Sequence, residues 1–186
     1  MSIRISGGVA RSLRLPPVKQ DGTRPTSGRV RSAIFSMLGD AVPDSRVLDL
    51  FAGTGAYGIE ALSRGAAWVD FVEAQARQCA AIRGVLPHID SEDRAAVYCA
   101  RAERAAALLE GSYDLVFLDP PYGYHGLNEF MDALASSHLV HQDSLIIEEH
   151  SRHDSPLALH GAFHLAKQRR YGETVVSIYA RGRLSW

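Results

Sequence analysis

Three acids stand where short apolar runs end. Asp49 sits in the run Val47 to Phe51, Glu73 closes Trp68 to Glu73, and Asp119 closes Tyr113 to Asp119. Two of them adjoin motifs that shape the backbone. Gly53-Thr54-Gly55-Ala56-Tyr57-Gly58 follows Asp49, and Pro120-Pro121-Tyr122 follows Asp119. One acid at such a place reads equally well as a cap for the next helix. Three together set hydrogen-bond acceptors around one position, because the ligand crevice of an open parallel sheet lies at the C-terminal ends of its strands.

Gly53, Gly55 and Gly58 match G-x-G-x-x-G, a pattern that gives a tight turn and a close backbone approach to a ligand. Glu73 lies 18 residues past Gly55, near the spacing at which an acid accepts from ribose hydroxyls. These two features alone fit a dinucleotide. Asp49 separates the readings. A dinucleotide brings its pyrophosphate to this turn, where a carboxylate is unfavourable. Asp49 suits a cofactor with a cationic amino group, a ribose diol and no phosphate, which is the chemistry of S-adenosylmethionine. Ala52 and Thr54 would line the same turn.

In Asp119-Pro120-Pro121-Tyr122 the prolines fix φ and remove two N–H donors. The backbone is kept out of helix, so carbonyls and the Asp119 carboxylate can face the crevice. Tyr122 supplies a flat ring for stacking a planar base. Acceptors beside a stacking ring can orient an exocyclic amine toward a methyl donor and take up the positive charge that develops on nitrogen.

The elements that must hold these residues alternate. Apolar runs at 47–51, 68–73, 95–99, 113–119 and 145–149 read as strands, and 57–64, 75–86, 102–110 and 127–136 as helices. That rhythm implies a parallel sheet with helices on both faces. The ends differ. Ile3-Arg4-Ile5 and Leu13-Arg14-Leu15 alternate across Gly7-Gly8 as a hairpin with a basic face, and 18–25 has loop composition. Thr26 or Ser27 can cap a helix with Val30, Ile34, Met37 and Leu38 on one side. Residues 162–168 and 174–180 read as an antiparallel hairpin. The expectation is an α/β fold: a doubly wound, mostly parallel sheet of seven strands over 41–186, with a hairpin-and-helix extension over 1–40.

The net charge of the 186 residues is −1, but the sum hides its distribution. Residues 1–38 hold seven basic side chains and one acid (+6), 39–150 hold seven Arg and eighteen acids (−11), and 151–186 hold six basic side chains and two acids (+4). Binding depends on where charge lies, so near neutrality does not exclude a nucleic acid. With 46% hydrophobic and 22% charged residues, the composition excludes disorder, collagen and coiled coil. Two cysteines exclude a disulfide framework and a self-sufficient zinc site. The eight histidines show no ligand spacing, so no metal is expected. There is no signal-peptide pattern and no apolar stretch near the roughly 18 residues of a membrane span. A cytoplasmic protein with reduced thiols is the expectation.

The stretches 5–16 (ISGGVARSLRLP), 23–38 (TRPTSGRVRSAIFSML), 47–66 (VLDLFAGTGAYGIEALSRGA) and 167–179 (KQRRYGETVVSIY), with Asp119 to Tyr122, resemble the bacterial 16S rRNA guanine-N2 methyltransferase family. The resemblance runs from Ile3 to Tyr179. It implies a Rossmann-like class I methyltransferase fold, S-adenosylmethionine as cofactor, and a guanine of 16S rRNA, free or in a small-subunit particle, as substrate. By this resemblance Asp49, Ala52, Gly53, Thr54, Gly55 and Glu73 hold the cofactor. Asp119, Pro120, Pro121 and Tyr122 hold the guanine, and Arg24, Thr26, Arg29 and Arg31 meet RNA phosphate. A monomer without an obligate protein partner is expected. Two places depart: Arg101 stands where the family commonly has an acid near the adenine, and the usual Asn region after the second helix reads Arg83-Gly84-Val85-Leu86-Pro87.

Two other activities share parts of this pattern. An N6-adenine methyltransferase on DNA or RNA would share Asp119 to Tyr122, but 123–145 is short for a target-recognition insert. A nicotinamide-dependent oxidoreductase would use the glycine motif but leaves Asp49 and the proline motif without a role.

Overall fold

A computed structural model describes residues 3–16, 28–121, 123–154 and 156–182. Arg24, Thr26 and Tyr122, together with the 18–25 loop and the Thr26/Ser27 cap, lie outside the described residues. Five strands, β1 (Arg46–Leu50), β2 (Trp68–Glu73), β3 (Ala95–Cys99), β4 (Tyr113–Leu118) and β5 (Val140–Ser151), pair parallel. Three more, β6 (Leu159–His160), β7 (Phe163–Tyr171) and β8 (Thr174–Ala180), extend the sheet antiparallel. Their order is β3-β2-β1-β4-β5-β8-β7-β6. The helices are α1 (Gly28–Leu38), α2 (Ala56–Ser63), α3 (Ala76–Val85), α4 (Ala105–Leu108) and α5 (Leu127–Ala135).

The parallel core and terminal hairpin agree with the sequence pattern, but the strand count does not. The sheet has eight strands among the described residues, not seven. The addition is β6, two residues that pair Leu159 with His164 and His160 with Phe163. Gly161, at φ 55°, makes the turn. Two residues are too short to show a period-2 alternation.

Alternation along each strand divides the core. Val47, Leu115, Phe117 and Ile147 pack on one face with Ile34, Phe35, Ile59 and Ile82. Leu48, Leu50, Val116 and Ile146 pack on the other with Ala105, Met131 and Leu134. Strands buried on both faces read as continuous apolar runs, which is why these were legible.

The N-terminal segment joins the first of these cores through Ile5 and Leu15. It is a ribbon with one antiparallel bridge, Arg4 to Arg14. Gly8 lets it close on α2: a Cβ there would lie 1.8 Å from the Ser63 carbonyl oxygen. Beside it the Val9 N–H donates to that same oxygen at 2.8 Å.

Arg31 departs from expectation. It was expected on the RNA-facing surface, and its side chain is fully buried. Its Nε donates to Glu60 Oε2 at 3.1 Å, and its guanidinium also donates to the Arg4 carbonyl. Glu60 further accepts from the Ser6 N–H and hydroxyl, both at 2.7 Å, and from Arg64 at 2.9 Å. Burial alone would raise the Glu60 carboxyl, but these donors outweigh it and hold it below the usual range. Arg31 is therefore a clamp between the ribbon, α1 and α2. Phosphate cannot reach it.

Cys79 on α3 and Cys99 at the end of β3 lie side by side, with Cα atoms 6.0 Å apart.

Candidate active site

The C-terminal ends of β2, β1, β4 and β5 converge, and the chain leaves β1 through the glycine turn. Phe51 takes a φ of 59°, followed by Gly53 at 55° and Gly55 at 73°. Positive φ is costly for an aromatic residue, and such strain concentrates at functional sites. Gly58 is needed for a different reason: a Cβ there would fall 2.2 Å from Cε1 of Phe71 on β2. Its absence lets α2 lie close on the sheet.

Glu73 fixes the turn. Its Oε2 accepts the Gly53 N–H at 2.7 Å and its Oε1 accepts the Gln75 N–H at 2.8 Å. A carboxylate has about four lone-pair sites, so two remain for hydroxyls. Asp49 lies beneath the turn, 1% exposed, and accepts the Gly58 N–H at 2.9 Å. Burial pushes its carboxyl up to about 8; the Gly58 bond works against the rise and the charge of Glu73 adds to it.

A cleft of about 1020 Å³ opens over this turn. Ala52, Gly53, Thr54, Glu73, Asp119, Pro120 and Pro121 line it, so the structure brings these expected residues together. Asp49 and Gly55 are not part of its wall. They lie behind it and shape the turn. Arg29 is exposed on α1, as are Arg4, Arg11 and Arg14 on the ribbon.

At the position of the expected acid, the Arg101 side chain is 77% exposed and meets Glu103 at 3.4 Å. Glu103 lines the cleft and accepts from the Tyr124 hydroxyl at 2.7 Å. Burial, then the bond to Glu103, pushes Tyr124 up to about 12. Phe51 meets Tyr124 and Phe130 edge-on at 5.1 and 5.5 Å. This wall is aromatic, with one carboxylate supplied by Glu103.

Sequence reasoning missed the fourth strand end. Glu148, Glu149 and His150, at the end of β5, line the cleft beside Asp119. Burial pushes the Glu148 carboxyl up. The Tyr57 hydroxyl donates to Glu149 Oε2 at 2.5 Å. The signal was present, since Leu145-Ile146-Ile147-Glu148-Glu149 is an apolar run that ends in acids.

Residues 3–180 match the family described as conserved hypothetical protein 95. YlbH of Bacillus subtilis is 34% identical over 182 residues, 96% of this chain and 99% of YlbH. Ribosomal RNA small subunit methyltransferase D of Escherichia coli is 30% identical over 179 residues, 96% of this chain and 90% of that protein. Among solved structures, yhhF of Escherichia coli superposes with a TM-score of 0.85 at 28% identity, covering 98% of this chain and 100% of the other. The cleft, its glycine turn and its Asp-Pro-Pro edge thus sit on a scaffold shared over nearly the whole chain, which belongs to the conserved hypothetical protein 95 family together with the small-subunit ribosomal RNA methyltransferases D.

Proposed function

We propose that this protein transfers a methyl group from S-adenosylmethionine to the exocyclic N2 amine of a guanine in 16S rRNA. The observation that carries the reading is that Glu73 with its glycine turn and Asp119 with its prolines line one cleft. The residues fit the cofactor. Glu73 keeps acceptor sites for a ribose diol, the glycines let the backbone approach, and Asp49 places a titrating carboxyl under the turn. When bound, the cofactor supplies a methyl group on a positively charged sulfur.

Asp119 and the carbonyls of the proline segment accept from the N–H groups of the amine and aim its lone pair at the methyl carbon. With the cofactor bound, the N–C bond would form as the C–S bond broke, with S-adenosylhomocysteine as the leaving group. One amine proton passes to an acceptor at the cleft edge. Pro120 and Pro121 hold that edge, and Tyr122 stacks on the base. Reaching them requires an extruded or unpaired guanine. Arg24, Thr26 and Arg29, on the extension 1–40, contact phosphate beside the catalytic domain 41–186. Names of relatives that act on ribosomal RNA support this substrate. No helix among the described residues is long and apolar enough to cross a membrane, and a cytoplasmic monomer working on small-subunit RNA or its particle fits this reading.

The test is incubation with radiolabelled S-adenosylmethionine and unmethylated small-subunit particles. Label should enter 16S rRNA with the parent protein and not with Asp119→Ala. No label with the parent, alongside tight NADH binding by calorimetry, would overturn the reading.

A further inference from the structure

Glu149 stands one strand away from Asp119. β4 and β5 pair with Phe117 opposite Ile147 and Leu118 opposite Glu148. The next residues, Asp119 and Glu149, leave adjacent strands about 4.8 Å apart. Strand alternation puts both on the face of Phe117 and Ile147, the face that α1 and α2 cover. Both line the cleft.

The Glu149 carboxylate has a fixed direction. Tyr57, which donates to it at 2.5 Å, stacks on Phe117 with ring centroids 4.9 Å apart and planes 14° apart. Tyr57 is itself buried, 5% exposed, so its hydroxyl cannot swing away. Beside it, Glu148 lines the same cleft at 1% exposure, and its Oε2 finds no hydrogen-bond donor among the described residues. The transfer step requires none of this, because Asp119 and the carbonyls of the proline segment already accept from the attacking amine.

We propose that Glu149 selects the base, accepting from the N1–H of guanine while Asp119 accepts from the adjacent N2 amine. This rests on the methyl transfer to guanine N2 proposed above. Guanine presents N1–H and its amine side by side as donors, and an ionised carboxylate offers acceptors only. Accepting from Tyr57 uses one of about four lone-pair sites. Adenine and 2-aminopurine carry a bare N1, which would set lone pair against lone pair. A site built around a substrate N–H rejects an analogue lacking it far more strongly than a hydrophobic pocket rejects a missing methylene. Tyr57 is the positioning residue that aims the carboxylate.

The experiment uses small-subunit RNA or particles in which the target guanine is replaced by 2-aminopurine, which keeps the amine and loses N1–H. The parent protein should prefer guanine by about 100-fold or more in kcat/KM. With Glu149→Gln the preference should fall to about tenfold or less, because the Gln amide can donate to a bare N1 while the guanine rate drops. Tyr57→Phe should narrow the preference by a smaller factor, and it gives the same readout should Glu149→Gln fail to fold. An unchanged preference in the folded variants, or equal losses on both bases, overturns the proposal. If the parent labels no guanine at all, the methyl-transfer reading fails first. If it labels guanine and the ratio ignores Glu149, only this inference fails.

Discussion

The backbone N–H of Gly53 donates to Glu73 Oε2 at 2.7 Å, so one carboxylate joins the turn after β1 to the end of β2. The same side chain takes the Gln75 N–H with its other oxygen. The turn is therefore shaped before a ligand arrives. Glu73→Gln keeps the length but loses two charge-assisted acceptors, each about twice as strong as a neutral one. Cofactor affinity by calorimetry should drop at least about tenfold, a loss of about 1.4 kcal/mol. Unaltered affinity would mean that Glu73 serves the turn alone.

Arg29 and Arg31, two residues apart on α1, should behave oppositely. Arg31→Ala leaves the buried Glu60 charge without its fully buried cationic partner and should cost about 3–5 kcal/mol in urea unfolding. Arg29 is exposed, so Arg29→Ala should leave stability within about 0.5 kcal/mol. It should weaken RNA binding and reduce the slope of log affinity against log salt by about 1. The clamp also predicts acid sensitivity. Glu60 is held below its ordinary 4.5, so its contribution is complete above that pH and fades as pH falls through the lower folded value. Melting curves from pH 6 to pH 3 should show this loss in the parent and a flatter profile in Glu60→Gln.

Asp49 titrates in the opposite sense. Its folded carboxyl is pushed from 3.8 up to about 8. Between those values the folded, ligand-free protein binds more protons than the unfolded chain, so Asp49 makes stability fall as pH rises through that window. A cationic amino group arriving at the turn favours the ionised form. S-adenosylmethionine should thus bind more tightly at pH 7.5 than at pH 6, with proton release in calorimetry, and Asp49→Asn should abolish both effects.

The third glycine of the motif can be tested by its contact. Gly58→Ala places a methyl 2.2 Å from the Phe71 ring and 2.8 Å from Val69. Overpacking of this kind costs about 1–3 kcal/mol, and chemical denaturation should show it. Cofactor affinity should fall as well, because the Gly58 N–H holds Asp49.

How much of this was legible depends on how local each cause is. Glu73 and Asp119 could be read because an apolar run and the following turn are contiguous in sequence. Glu149 carries the same signature, a run ending in acids, without a glycine or proline motif to mark it. Arg31 was misplaced because its burial depends on Glu60, 29 positions away, and an arginine beside other arginines on a short helix reads as a solvated face. β6 was missed because two residues have no period. Asp49 was placed at the ligand by its position before the turn, whereas its side chain points to the Gly58 N–H behind that turn. Local pattern thus located the crevice, while long-range pairing decided which charges face it.

The central claim is tested most directly by identifying the methylated nucleoside. Small-subunit RNA is labelled with isotopic S-adenosylmethionine, digested to nucleosides and resolved by mass spectrometry. The proposed chemistry predicts label in N2-methylguanosine with the parent protein and none with Asp119→Ala. Label in N6-methyladenosine, or no nucleoside carrying label, would contradict it.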